Sequence, residues 1–405
     1  MSKLKELISE LCPDGVEYKT LGEVAEVRSG WGFPNKYQGQ TDGVYPFYKV
    51  RDMTLSGNER FMHHSENYVS QEIAELLRCK PAPSGSIIFP KIGAAIATEK
   101  RRVLTVNSCY DNNVMALIPS EKLADGYLWL VFSGISLMSF VTGEGAVPSI
   151  RKGAVESCRI PVPPIEVQRE VVRILDSFQE LDDALTAEIE AREKQFDTCL
   201  SKLMHDVSED AAMVKLGSQM TIVRGASPRP IKSYLTTGSD GVHWIKIGDV
   251  AVGGKYVMDT AEYVTPDGAA KSRFLKSGSL ILSNSMSFGR PYILGIDGCI
   301  HDGWLAMSGY ETSYDRDFLY YLLRSDGVQT AWEMAASTST VRNLNADIVR
   351  DTLVPLPNMD KQLEIVRALD ELMRLTDLLR SERDARRKQF EHYRDKLLSF
   401  PEKGA

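Results

Sequence analysis

Several things a reader looks for first are missing from this sequence. Cysteine is sparse: Cys12, Cys79, Cys109, Cys158, Cys199 and Cys299 are scattered along 405 residues and form no Cys-x-x-Cys pair. Such spacing suits neither a zinc cage nor a disulfide scaffold, so reduced thiols in a cytoplasmic protein are expected. Residues 1–10 alternate charge with leucine and have no apolar signal core, which argues against secretion. The longest apolar run, 127–141, is 15 residues, short of the ~20 a membrane span needs. A buried helix is expected there. A shorter relative of it, 318–323, is followed at once by Arg324.

Catalytic signatures are lacking too. There is no Gly-x-x-x-x-Gly-Lys-Ser/Thr phosphate loop, and Gly30-Trp-Gly32 is too short for a dinucleotide fingerprint. No His-Glu-x-x-His or Cys/His cluster offers metal spacing; His63-His64 stands alone and is expected in a surface turn. No Asn-Pro-Pro-aromatic segment positions an amino group for methyl transfer. Pro13-Asp14 followed by Glu17-x-Lys19 superficially resembles a nuclease triad. Two intervening residues cannot bring carboxylates from separate strands onto one metal, so a turn at Pro13-Asp14-Gly15 is the better reading. A non-catalytic chain without a metal or cofactor of its own is expected.

Excess positive charge is missing as well. The net charge of −7 does not announce a nucleic-acid binder. The acid is concentrated, however: residues 165–205 hold 10 Asp/Glu against 5 Lys/Arg. The rest of the chain is nearer neutral than the total suggests.

What is present is one unit written twice. Pro161-Val-Pro-Pro-Ile-Glu-Val-Gln168 matches Pro355-Leu-Pro-Asn-Met-Asp-Lys-Gln362, and Ala191-Arg-Glu-Lys-Gln-Phe196 matches Ala385-Arg-Arg-Lys-Gln-Phe390, both at an offset of 194 residues. Earlier anchors follow with small drifts. Leu21-Gly22 pairs with Leu216-Gly217, Tyr48-Lys-Val-Arg-Asp52 with Ile245-Lys-Ile-Gly-Asp249, Ser84-Gly-Ser-Ile-Ile88 with Ser277-Gly-Ser-Leu-Ile281, and Cys109-Tyr-Asp111 with Cys299-Ile-His301. Drift between anchors is what loop insertions leave on a shared scaffold. So long a period means a duplicated domain, not a solenoid.

Each copy opens with glycine-broken, β-branched runs such as Ser86-Ile-Ile-Phe89, Val103-Leu-Thr-Val106 and Ser279-Leu-Ile-Leu282, which predict an α+β domain with a substantial sheet. A Pro-rich hinge and a long stretch free of Pro and Gly follow. Pro164 suits a first helical position, Asn358 an N-cap, and Glu166 and Asp360 the positive end of the helix dipole. One apolar stripe runs through Val171, Ile174, Phe178, Leu181, Leu185, Ile189, Phe196, Leu200 and Leu203, another through Ile365, Leu369, Leu372, Leu379, Phe390, Tyr393 and Leu397. These predict two helices of about 40 residues, each on the order of 60 Å long. A long helix with one stripe needs a partner, and the other copy supplies it if the two pair antiparallel about a pseudo-twofold axis. The expected division is 1–160 and 209–354 for the two globular domains, with 161–208 and 355–405 for the helical spacers.

Two similar domains on a spacer suggest binding. Basic and polar residues in glycine-flanked or polar contexts let a backbone approach phosphates while side chains reach base edges. The candidates in the first copy are Arg28, Trp31, Lys49, Arg51, Lys91, Arg101 and Arg102; in the second they are Arg224, Arg229, Lys232, Lys246, Asn284, Arg290 and Arg342. Basic residues are expected to recur at matching places in both copies.

The segment Leu11-Cys-Pro-Asp-Gly-Val-Glu-Tyr-Lys19 with Leu21-Gly22-Glu23 resembles the N-terminal opening of type I restriction–modification specificity subunits. Gly241-Val-His-Trp-Ile-Lys-Ile-Gly-Asp249 resembles the start of their target-recognition domains, and the Pro-x-Pro segments with Gln168 or Gln362, then the Lys-Gln-Phe helices, resemble their spacers. The resemblance spans essentially the whole chain. It implies double-stranded DNA as partner, each recognition domain reading half of a bipartite site. It also implies that the spacer helices fix the gap and dock two methyltransferase subunits, with Gln168, Phe178, Gln195, Phe196, Gln362, Gln389 and Phe390 as candidate docking residues. Those partners bring S-adenosylmethionine and methylate adenine; restriction subunits add ATP and Mg2+, and no membrane is involved. The alternative is a free-standing tandem-domain DNA-binding regulator, which the acidic charge disfavours.

Overall fold

The duplication is visible in strand order. The structure, a computed structural model, describes residues 2–141, 147–250, 254–284, 288–337 and 344–404. They form two compact units, one of residues 1–185 with 382–405 and one of residues 186–381. In the first, a five-stranded sheet runs in the order Ala25–Ser29, Val114–Pro119, Ile87–Pro90, Arg102–Leu104, Phe61–Met62. In the second, the same order is kept by Thr221–Arg224, Trp304–Ser308, Leu280–Ser283, Pro291–Leu294 and Tyr256–Val257.

The central strand of each sheet is buried on both faces, which is why it reads as an unbroken apolar run. Alternation then sends neighbouring residues to different cores. Ile87 and Phe89 pack in the larger core with Leu117, Phe132 and Val171, while Ile88 packs behind the sheet with Tyr48, Leu104 and Ala116. Leu280 and Leu282 divide from Ile281 in the same way. A smaller sheet accompanies each large one. Its shared center is a parallel pair, Phe47 opposite Cys109 in one unit and Trp244 opposite Cys299 in the other. The second unit adds Leu235–Thr236 and Arg273–Leu275 at its edges.

Of the apolar run 127–141 only Tyr127–Ser133 is α-helix, ended at Gly134 before a 3-10 turn over Leu137–Phe140; its counterpart is Arg316–Arg324, and both helices are largely buried. Pro13 and Asp14 form a turn closed by Gly15, whose φ of +94° is open to glycine at no steric cost.

The two long helices are Ile165–Asp210 and Met359–Leu397. Pro164 sits one residue before the first helix, its carbonyl accepting from the Gln168 N–H at 3.1 Å. It fills the cap position, not the first helical one. Asn358 caps the second through Oδ1, which accepts from the Lys361 N–H at 2.9 Å. Within each unit the two helices run antiparallel. Phe178 meets Phe390 and Tyr393, and Arg387 donates to Asp182 at 2.7 and 2.9 Å; in the second unit Arg380 pairs with Glu193.

The stripe is only partly a helix–helix seam, which corrects the expectation. Val167, Val171 and Leu175 enter the first unit's core, and Phe196, Leu200, Met204 and Val207 enter the second's. Leu181, Leu375 and Leu378 remain exposed. Much of the stripe is therefore satisfied by the globular domain that each helix end carries.

Candidate nucleic-acid interface

Both large sheets end in the same loop construction. In the first unit the turn at Asp111–Asn113 gathers three other segments: Asp111 N–H donates to the Tyr48 carbonyl (2.9 Å), Trp31 N–H to Tyr110 (3.1 Å) and Lys91 N–H to Asn113 (2.9 Å). In the second, His301 N–H donates to Ile245 (3.3 Å), Ala226 N–H to Ile300 (3.3 Å) and Asn284 N–H to Gly303 (3.0 Å). A glycine makes each approach possible. A Cβ on Gly30 would stand 2.1 Å from the Asp111 carbonyl, and one on Gly225 would stand 2.1 Å from that of His301.

Trp31, Lys49 and Lys91 are thereby brought around Asp111. Burial pushes the Asp111 carboxyl up, and the Asn113 hydrogen bonds with the Lys49 and Lys91 charges oppose that rise. Trp31 leans on Tyr110, ring centers 5.5 Å apart. Arg224, Arg229, Lys246 and Asn284 come together around His301 and Asp302. Arg224 donates to the Asp302 carbonyl at 2.6 Å and Asn284 Nδ2 to the same oxygen at 2.9 Å; Asn284 is buried, which corrects its place among the DNA-contacting candidates. Arg229, 85% exposed, lies 3.9 Å from the Asp302 carboxylate. The Ser227 hydroxyl, then Arg224, hold that carboxyl below its ordinary range. Lys49 and Lys246 occupy the same place in the two units: each backbone N–H is bound by an aspartate three residues on, Asp52 at 2.6 Å and Asp249 at 2.7 Å. Their ammonium groups differ in partner, Gln38 Oε1 for Lys49 and Glu262 for Lys246.

Matching recurrence fails for Arg28 and Arg224. Val27 pairs with Leu117 and Ile222 with Met307, so Arg28 (opposite Ala116) and Arg224 (opposite Leu305) are one register step apart. One step turns a side chain to the other face of the sheet. Arg28, 12% exposed, is held by Glu26 and the Lys80 carbonyl. Arg101 is also corrected: it is 6% exposed, donates to Glu99 and the Ile135 carbonyl, and covers the Phe132 ring. Arg102 is half-buried, donating to the Met53 carbonyl at 2.8 Å. Both serve the interior, since their guanidinium groups are needed to satisfy buried oxygens.

Arg51 is exposed and ion-paired with Glu66, and Lys232 and Arg290 are exposed. Arg342 lies outside the described residues.

The two spacer glutamines are placed otherwise than docking would need. Gln168 accepts from the Ala124 N–H at 2.8 Å and donates to the Pro163 and Lys122 carbonyls. Gln362 accepts from the Asp315 N–H at 2.8 Å and donates to Pro357 and Ser313. Both are essentially fully buried, so they fasten a helix to its own domain and are out of a partner's reach. Phe196 is buried against Tyr321 in the second core. Phe178 and Phe390 are half-buried against each other. Gln195 is exposed and Gln389 half-exposed; each accepts from an arginine three residues earlier at 3.0 Å.

The residues at the middle of each cluster, Asp111 and His301-Asp302, were not singled out by their chemistry. Their signal was the anchor pair Cys109-Tyr-Asp111 and Cys299-Ile-His301, conspicuous as repeat and silent as site.

A family model described as "Type I restriction modification DNA specificity domain" matches residues 13–192. The Escherichia coli type I restriction enzyme EcoR124I/EcoR124II specificity subunit is 25% identical over 99% of this chain and 98% of its own length. The MjaVIII specificity subunit of Methanocaldococcus jannaschii is 22% identical over 98% and 94%. Among solved structures, the type I restriction–modification S subunit from M. genitalium superposes with a TM-score of 0.52, at 14% identity, over 95% of this chain and 96% of that one. A chain from a structure of the type I R-M system gives 0.56 at 15% identity, over 95% and 98%. These two establish a shared fold. With the sequence relatives spanning nearly the whole chain, the protein is similar along its length to the specificity subunits of type I restriction–modification systems, and its residues 13–192 match their specificity domain.

Proposed function

We propose that this chain selects a bipartite DNA sequence for a type I restriction–modification complex and leaves the chemistry to its partners. The observation that carries the reading is the duplicated loop construction: one backbone scaffold presents Trp31, Lys49 and Lys91 in the first unit and Arg224, Arg229 and Lys246 in the second. A common frame with different donors suits two unlike half-sites. Lysine positions phosphates, while arginine pairs with the guanine edge.

In this reading residues 1–160 and 209–354 are the recognition domains, and 161–208 and 355–405 are the spacers that set the gap. The spacers dock two methyltransferase subunits, which supply S-adenosylmethionine and methylate adenine; restriction subunits supply ATP-dependent cleavage. The exposed Gln195, the half-exposed Gln389 and the exposed Leu181, Leu375 and Leu378 are the docking candidates. With a net charge of −7, the chain has little long-range attraction for DNA by itself. Binding to a target duplex is therefore weak for the chain alone and tight with the methyltransferase partner. Equal affinity in both states would favor a free-standing regulator and overturn this reading.

A further inference from the structure

The second unit contains a cleft whose charge is unlike that of its surroundings. Several of its other cations have carboxylate neighbours: Arg224 and Arg229 face Asp302, Lys246 faces Glu262, and Lys255 lies between Asp317 and Asp370. Arg290 and Arg324 share instead a cleft of about 340 Å³ whose described walls are Gly254, Pro291, two tyrosines and Gln329, with no carboxylate among them.

Arg324 is held through its side chain and Arg290 through its backbone. Arg290 follows a hairpin turn: its N–H donates to Ser283 Oγ at 3.0 Å, and its carbonyl accepts from the Ser283 N–H at 2.9 Å. Gln329 donates to the Gly289 carbonyl at 2.8 Å, tying that turn to the neighboring helix. Arg324 donates to the Tyr320 hydroxyl at 3.0 Å and stacks over the rings of Tyr320 and Phe196. Two planar forks of N–H donors, one held against its rings and the other carried on an anchored backbone, flank a small cleft with no carboxylate among its described walls and match the oxygens of a phosphodiester.

We propose that the Arg290–Arg324 cleft binds one backbone phosphate of the DNA beside the half-site read by the second unit. This rests on the DNA-recognition reading above and adds the place where that unit grips the backbone. In the first unit the strand register sets Lys100 where Arg290 stands, so that position carries no guanidinium there.

The test uses the full chain assembled with its methyltransferase partner and a duplex carrying its methylated site, with affinity measured against salt concentration. Arg290→Ala and Arg324→Ala should each flatten the log–log salt slope by about 0.9, the contribution of one neutralised phosphate. The double variant should flatten it no further, and lysine at either position should keep the slope. Weaker binding with unchanged slope would reduce the arginines to packing and overturn the proposal; a double variant losing twice as much would do the same for the shared phosphate. Inorganic phosphate that raises the Tm of wild type but not of the double variant, with DNA slopes unchanged, would assign the cleft to a free anion instead. A wild-type complex with no preference for the methylated site over unrelated duplex would sink the DNA-recognition reading itself, a distinct result.

Discussion

Lys255 Nζ lies 2.9 Å from the Asp370 carboxylate, joining the short strand Tyr256–Val257 side of the second domain to its long helix. The lysine is 8% exposed, and Asp317 completes the cluster at 2.7 Å. Burial alone would lower its pKa; hydrogen bonds to Asp317 and Asp370 outweigh that and hold it above its ordinary value. The first unit has a looser version at the equivalent place, Arg60 to Asp176 at 3.4 Å, with the cation more open to solvent than Lys255 and the two aspartates alike. Lys255→Met should leave the Asp370 carboxylate without its cation while Asp317 keeps Arg316 at 2.9 Å, costing about 2 kcal/mol, below the full buried-pair penalty because Asp370 is 46% exposed. Arg60→Met should cost about 1 kcal/mol or less through the ion pair. Urea unfolding of the full chain, followed by tryptophan fluorescence, measures both; equal losses would contradict the difference.

The sequence carried this relationship without declaring it. Asp176 and Asp370 stand at the same 194-residue offset as the glutamines, yet a carboxylate on an acidic helix looks like any other solvated charge. The duplication itself was legible because buried hydrogen bonds constrain residue type: Tyr127 and Tyr314 hydroxyls each donate at 3.0 Å to the proline that opens the hinge, Pro161 and Pro355. The role of the repeated glutamines was not legible. A Gln in an amphipathic helix reads as exposed until the loop that it fastens is known. The Arg28–Arg224 mismatch was hidden for a similar reason, since a one-residue drift between anchors reverses a strand's faces without disturbing its pattern.

Gln168→Ala and Gln362→Ala should each destabilise their own unit by about 3 kcal/mol, because each removes the partner of one buried N–H and two carbonyls. Glutamate should not rescue, since an ionised carboxylate cannot donate to those carbonyls. Thermal unfolding checks the stability. Partner binding by the folded fraction should be unchanged, and its selective loss would restore a docking role.

Stability of the second unit should depend on pH through His301. Burial, only partly opposed by Asp302, holds its imidazole below the ordinary value of 6.5. The unfolded chain then binds more protons than the folded one just below pH 6.5. Stability from this group is therefore complete above that pH and is lost as pH falls from there toward the lower folded-state value. Tm of wild type should fall more than that of His301→Asn between about pH 7.5 and about pH 5.5; parallel decreases would assign the effect to other groups.

The division of recognition between two domains is tested most directly by exchanging one of them. Residues 20–155 are replaced by the corresponding region of another specificity subunit, and adenine methylation is sequenced in cells carrying the hybrid with its methyltransferase partner. The account predicts that one half of the methylated site changes while the other half and the gap stay as they were. A change in both halves, or in the gap, would contradict it.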